Sequence, residues 1–111
     1  MVTPAEVRRG EVFLVELAPT RGSEIRKTRP CVVVSPDELN QHLRTFIVAP
    51  LTTGAHGYPF RVACRFGAKN GHVVLDQIRT VDRERMVRRV GRIAGPTLQR
   101  VLLVLQEMFA P

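Results

Sequence analysis

The strongest constraint on this chain is the spacing of its apolar runs, each cut by Pro, Gly or polar residues before a long helix could form. Residues 10–18 (GEVFLVELA) are rich in β-branched and aromatic side chains and stop at Pro19. Such side chains pack well on a pleated surface, so the run reads as a strand. Residues 30–35 (PCVVVS) and 45–51 (TFIVAPL) are continuous apolar runs, expected as buried strands. In residues 59–65, Phe60, Val62 and Cys64 alternate with Arg61, Ala63 and Arg65, the period of a half-exposed strand. Asn70-Gly71 reads as a hairpin turn, with residues 72–78 returning as the partner strand and residues 86–93 adding another.

Two helices interrupt the pattern. Ser35 can cap a short one that has Pro36 at its first position and Glu38 closing a capping box, ending near His42. After Gly95-Pro96, Leu98, Val101, Leu102, Leu105 and Phe109 recur with helical period and define an amphipathic C-terminal helix. The 111 residues suit one domain, spanning 1–111. The expected fold is mainly β: a small SH3-like barrel of five to seven strands, a short internal helix and a C-terminal helix over one end.

With 44% hydrophobic and 24% charged residues, the chain can build a core and is excluded from the disordered class. Cys31 and Cys64 form no C-x-x-C pair, so they read as buried free thiols of a reducing compartment. The longest uncharged run, residues 45–60, is broken by Pro50, Gly54, Gly57 and Pro59 and cannot be a membrane-spanning helix. No export signal is expected, and a soluble cytoplasmic protein is.

The charge is more informative. Arginine supplies 15 of the 17 basic residues, and the net charge is +7. Residues 61–111 carry ten basic and four acidic side chains, against seven and six in residues 1–60. Six arginines fall between Arg79 and Arg92, opposed only by Asp82 and Glu84. Such a field favours a polyanion, either nucleic acid or an acidic protein segment.

No phosphate-binding glycine loop and no H-E-x-x-H or clustered carboxylate pattern occurs, so neither a nucleotide cofactor nor a metal is expected. His42, His56 and His72 are scattered and read as structural or solvent-facing. The loop running from Thr20-Arg21-Gly22-Ser23-Glu24 through Arg26 and Lys27 to Arg29-Pro30 suits a phosphate. Arginine offers a fixed fork of donors and a nearby carboxylate can accept a proton. On spacing alone, a plain surface salt bridge from Glu24 to Arg26 or Arg29 explains the same residues.

Residues 8–40, followed by VAPLTT, YPFRV and LDQIRTVDRER, resemble the MazF/PemK toxin family from about Arg9 to Ile93. The resemblance implies a metal-independent endoribonuclease that cleaves single-stranded messenger RNA. The RNA's own 2′-hydroxyl attacks the adjacent phosphate, leaving 2′,3′-cyclic phosphate and 5′-hydroxyl ends. It further implies a homodimer and a cognate antitoxin, expected here to be acidic. By motif, the catalytic residues are Glu24, Arg29 and Thr52, with Asp76 in the acidic position of the D-Q-I-R-T segment. Arg21, Ser23, Lys27, Thr53, Asp76 and Gln77 are the expected RNA-binding residues. The proton acceptor is Glu24 or Asp76, and Glu24 is favoured because its loop also supplies Arg29. A fixed guanidinium and a directed hydroxyl suit the negative charge that builds on the phosphate oxygens. Relatives commonly read G-S-E-Q-x-G-x-R-P, whereas Ile25 and Lys27 here replace a glutamine and a glycine, making the loop more basic and stiffer. Tyr58 is the expected exposed stacking ring. A non-catalytic nucleic-acid-binding or gyrase-binding module on the same barrel is the rival reading.

Overall fold

A computed structural model describes residues 6–18, 21–24, 27–54 and 57–111. Among these residues seven strands form: β1 (Glu11–Glu16), β2 (Thr28–Val33), β3 (Thr45–Thr52), β4 (Arg61–Phe66), β5 (Lys69–Val74), β6 (Arg79–Asp82) and β7 (Met86–Arg92). The helices are α1 (Asp37–Asn40) and α2 (Gly95–Met108). The strands pair antiparallel in the order β4-β5-β3-β2-β1-β7. The free side of β3 is divided: Thr45 to Val48 pair with β6, while Leu51 and Thr52 pair with β5.

The apolar runs are continuous because β1 to β3 are covered on both faces. Phe13, Val15, Cys31, Val33, Phe46 and Val48 enter one buried cluster. Their neighbours Val12, Val32, Ala49 and Leu51 enter a second, which α2 covers with Leu98, Val101, Val104, Leu105 and Met108. Gly10, at φ 92°, admits this helix, since a Cβ there would stand 2.9 Å from Leu98 Cδ2. The sheet curls until its ends meet: the Phe66 ring of β4 lies where a Cβ on Gly91 of β7 would be 3.0 Å from its Cε1. No backbone pairing joins β4 to β7 among the described residues, so the curled sheet is not a closed barrel. No helix is long and apolar enough to cross a membrane among the described residues.

Several local expectations change. Residues 67 and 68 make the β4–β5 turn, with Gly67 at φ 62°, and Asn70-Gly71 lies inside β5 opposite Arg65 and Cys64. The strand expected over residues 72–78 ends at Val74, and Leu75–Gln77 form a 3-10 turn. Phe60 precedes β4 in a turn, at φ 61°, and is exposed instead of starting the alternation. Ser35 does not cap α1. Its hydroxyl donates to Asn40 Oδ1 at 2.6 Å and accepts from the Ile47 amide at 3.1 Å, while Asn40 Nδ2 donates back to the Ser35 carbonyl. Phe109 is 69% exposed, and Val104 and Met108, partly buried, pack against the core instead. Cys31 is a buried free thiol, pushed up to about 12 by desolvation, whereas free Cys64 is only half-buried.

Candidate active site

The β2–β3 ladder positions the first two expected residues. Cys31 opposes Pro50, and two residues further along each strand stand Arg29 and Thr52. Strand alternation gives all four the same face of the sheet. Arg29, Thr52 and Thr53 line a cleft of about 200 Å³ whose floor includes Pro30, Leu51 and Phe66. Its far wall is the β4–β5 hairpin, through Cys64, Lys69, Asn70 and Gly71.

The Thr52 end of the cleft is tightly fixed. Its Oγ1 accepts a hydrogen bond from Gly54 N at 3.2 Å. A hydroxyl that accepts keeps its own proton for donation. The Gly54 carbonyl meets His72 Nδ1 at 3.0 Å, which fixes that nitrogen as the protonated one in this bond. His72 thus ties β5 to the segment that follows Thr52; His56 lies outside the described residues. Gly71 opposes Cys64 and crowds Thr52: a Cβ on it would stand 1.9 Å from the Thr52 carbonyl oxygen.

Glu24, Asp76 and Gln77 meet in a neighbouring cleft of about 320 Å³, with Leu17, Pro50 and Arg79 among its walls. Pro50, on the Thr52 face of β3, lines this cleft, whereas Arg29 and Thr52 line the first. One Glu24 oxygen accepts the Arg21 amide, and the Glu24 amide donates to the Arg21 carbonyl at 3.1 Å, closing the turn that carries exposed Ser23. Arg26, the alternative salt-bridge partner of Glu24, and Ile25 lie outside the described residues. Asp76 is committed on both oxygens, to Arg61 Nε at 3.0 Å and Nη2 at 3.1 Å. Those bonds hold its carboxyl below the usual carboxylate range. The same guanidinium lies 4.9 Å from the centre of the Tyr58 ring. Tyr58 is exposed as expected, but Phe60 and Phe109 are exposed rings too.

Lys27 is exposed at φ 68°, the left-handed conformation that glycine adopts without a Cβ clash. Its carbonyl accepts from Leu17 N at 3.1 Å, extending the β1–β2 ladder to the loop. The arginines are less uniformly available than their count suggests. Arg79 donates to the Leu17 carbonyl, Arg85 to the Glu16 and Ala18 carbonyls, and Arg89 to the buried Glu11 carboxylate. Half of the six arginines in residues 79–92 thus brace β1 and the two residues that follow it. Lys69, Asn70 and Gly71 are cleft residues that sequence reasoning missed, because Asn70-Gly71 carried the signature of a turn.

Fold and site together define a small curled β domain with a guanidinium and a threonine hydroxyl at one cleft edge and two carboxylates in the next. The family model of the PemK-like, MazF-like toxin of type II toxin–antitoxin systems matches residues 8–109. The chain is 35% identical over 105 residues to Endoribonuclease MazF9 of Mycobacterium tuberculosis, covering 86% of this chain and 89% of that protein. It is 33% identical over 93 residues to the Endoribonuclease toxin MazF of Escherichia coli K12, covering 83% and 84%. The crystal structure of MazF from Deinococcus radiodurans superposes with a TM-score of 0.80 at 27% identity, over 92% of this chain and 94% of that one. The chain belongs to the PemK/MazF toxin family.

Proposed function

We propose that this chain is the toxin of a type II toxin–antitoxin pair and an endoribonuclease that cuts single-stranded RNA by internal attack of the 2′-hydroxyl. The observation that carries the reading is the placement of Arg29 and Thr52 at equivalent ends of adjacent strands, on the rim of one cleft. Transfer to the 2′-oxygen puts negative charge on the non-bridging phosphate oxygens and on the departing 5′-oxygen. The Arg29 guanidinium stabilises that charge with a fixed fork of N–H donors, and the Thr52 O–H adds a directed one.

Glu24 is the proposed acceptor of the 2′-hydroxyl proton. Arg61 occupies both oxygens of Asp76 and lowers its basicity, while Glu24 keeps one oxygen outside its bond to the Arg21 amide. An RNA laid across the boundary between the two clefts would meet Arg29 and Thr52 on one side and Glu24 on the other. Arg21, Ser23, Lys27, Thr53 and Gln77 then contact the strand beside the scissile linkage. The P–O5′ bond breaks as the P–O2′ bond forms. The proton that Glu24 takes from the 2′-hydroxyl is returned, through solvent, to the departing 5′-oxygen, giving a 2′,3′-cyclic phosphate and a 5′-hydroxyl.

The basic surface suits an acidic antitoxin segment, and the outer edges of β4 and β7 offer backbone that a second copy could cover in a homodimer. Single-turnover cleavage of an RNA with Arg29→Ala and Thr52→Ala tests the reading. Each change is expected to slow cleavage by on the order of 10²–10³ with the fold intact. Wild-type rates in both variants would overturn it.

A further inference from the structure

The cleft that holds Arg29 does not end at the β4–β5 hairpin. A second cleft on the far side is lined by Arg65, His72 and Thr97, and the two share Thr53, Cys64, Asn70 and Gly71. Gly71 lines both clefts, and its lack of a side chain lets it pack directly against the Thr52 carbonyl. Asn70 also stands at the junction of two hollows that run continuously from Arg29 toward the start of α2.

Three exposed polar side chains flank this junction: Asn70 lines both clefts, Lys69 the first and Arg65 the second. Asn70 opposes Arg65 across the strand pair, and Lys69 precedes it. Among the described residues none of the three has a side-chain hydrogen bond or ion pair, so each keeps its full donor capacity. Phe66 and Leu51 supply apolar surface in the first cleft, with Lys69, Asn70 and the Arg29 cation, while Arg65 stands in the second. A cavity with an apolar floor, one carboxamide and flanking cations matches a nucleotide: a flat base, a hydrogen-bonding edge and a phosphate on each side. Single-stranded RNA is read in this way, by splayed bases bonded on their edges.

Building on the nuclease reading above, we infer that the β4–β5 hairpin is a base-reading element. Asn70 bonds the edge of a base next to the scissile linkage, and Lys69 and Arg65 hold the flanking phosphates. The strand thus passes from the Arg29–Thr52 cleft over Gly71 into the second cleft. A carboxamide presents a donor and an acceptor side by side, so it selects a base edge with the complementary pair.

The test uses the full-length protein and an RNA made uncleavable by a 2′-deoxy substitution at the scissile nucleotide. Affinity is measured against salt for wild type, Arg65→Ala and Lys69→Ala, with melting followed by circular dichroism. Each cation variant is expected to lower the log–log salt slope by about 1, in line with one lost phosphate contact. Asn70→Ala is expected to reduce wild-type discrimination among the four bases at one position from roughly tenfold to near unity. Asn70→Asp, of the same size but without donors, is expected to shift that preference toward a donor-rich edge, which keeps the test decisive if alanine unsettles the hairpin. Unchanged slopes together with unchanged base preference would overturn the inference and leave the nuclease reading standing. If wild-type protein binds no RNA, the nuclease reading itself fails and the inference with it.

Discussion

Gly71 stands so close to Thr52 that a Cβ would lie 1.9 Å from the Thr52 carbonyl oxygen and 2.9 Å from its carbon. Both contacts are with backbone, which cannot rotate aside, so β3 and β5 must separate if a methyl is added. Gly71→Ala is expected to cost about 1–3 kcal/mol, the usual range for overpacking. Thermal unfolding checks this, with a fall of several degrees per kcal/mol expected for a chain of this size. An unchanged midpoint would show that the strands do not approach so closely.

The Arg61–Asp76 pair sets a pH dependence whose sign follows from its geometry. The two guanidinium bonds lower the folded-state pKa of Asp76 below its unfolded value of about 3.9. The pair therefore stabilises the fold above the unfolded pKa, and this contribution is lost as pH falls through the depressed folded value. Because Asp76 is substantially exposed, the contribution is small, at about 0–1 kcal/mol. Titration by carboxyl NMR should show the Asp76 pKa rising toward the ordinary range in Arg61→Ala. A pKa that does not move would contradict the pairing.

The two carboxylates can be separated kinetically. Glu24→Gln should lower kcat/KM by about 10²–10⁴ and remove the acid limb of its pH profile, which reports the essential base of the free enzyme. Asp76→Asn should keep that limb. The reverse pattern would move the proton acceptor to Asp76.

Lys27 occupies a backbone conformation suited to glycine. An L-residue in the left-handed region loses roughly 1–2 kcal/mol to Cβ crowding, while glycine's extra unfolded-state freedom takes back about 0.5–1 kcal/mol. Lys27→Gly is therefore expected to raise stability by about 0.5 kcal/mol in denaturant unfolding. A clear loss of stability would mean that the φ of 68° is not strained.

The strand pattern was largely legible because period and composition act locally. Buried runs such as residues 30–35 and 45–51 show no alternation when both faces of a sheet are covered, and this chain covers both. The errors arise where tertiary contacts override local preference. Asn70-Gly71 has the chemistry of a tight turn, yet Gly67 already makes the turn, and Gly71 is required inside β5 for its approach to Thr52. Ser35 has the chemistry of a cap, yet its hydroxyl turns inward to Asn40 and Ile47. β6 carries no strand signal of its own, because RTVD is short, polar and apolar only at Val81. In the candidate site, the loop and β3 motifs pointed to Arg29, Thr52 and Glu24. That a hairpin from β4 and β5 forms the opposite wall depends on the β3–β5 pairing, which no local sequence signal announces.

The internal attack proposed for this site is tested most directly by end-group analysis of an RNA incubated with purified protein in EDTA. Cleavage is expected to leave a 2′,3′-cyclic phosphate and a 5′-hydroxyl, and to stop when the nucleotide before the cut carries a 2′-deoxyribose. Intact RNA in EDTA, or fragments bearing 5′-phosphates, would contradict it.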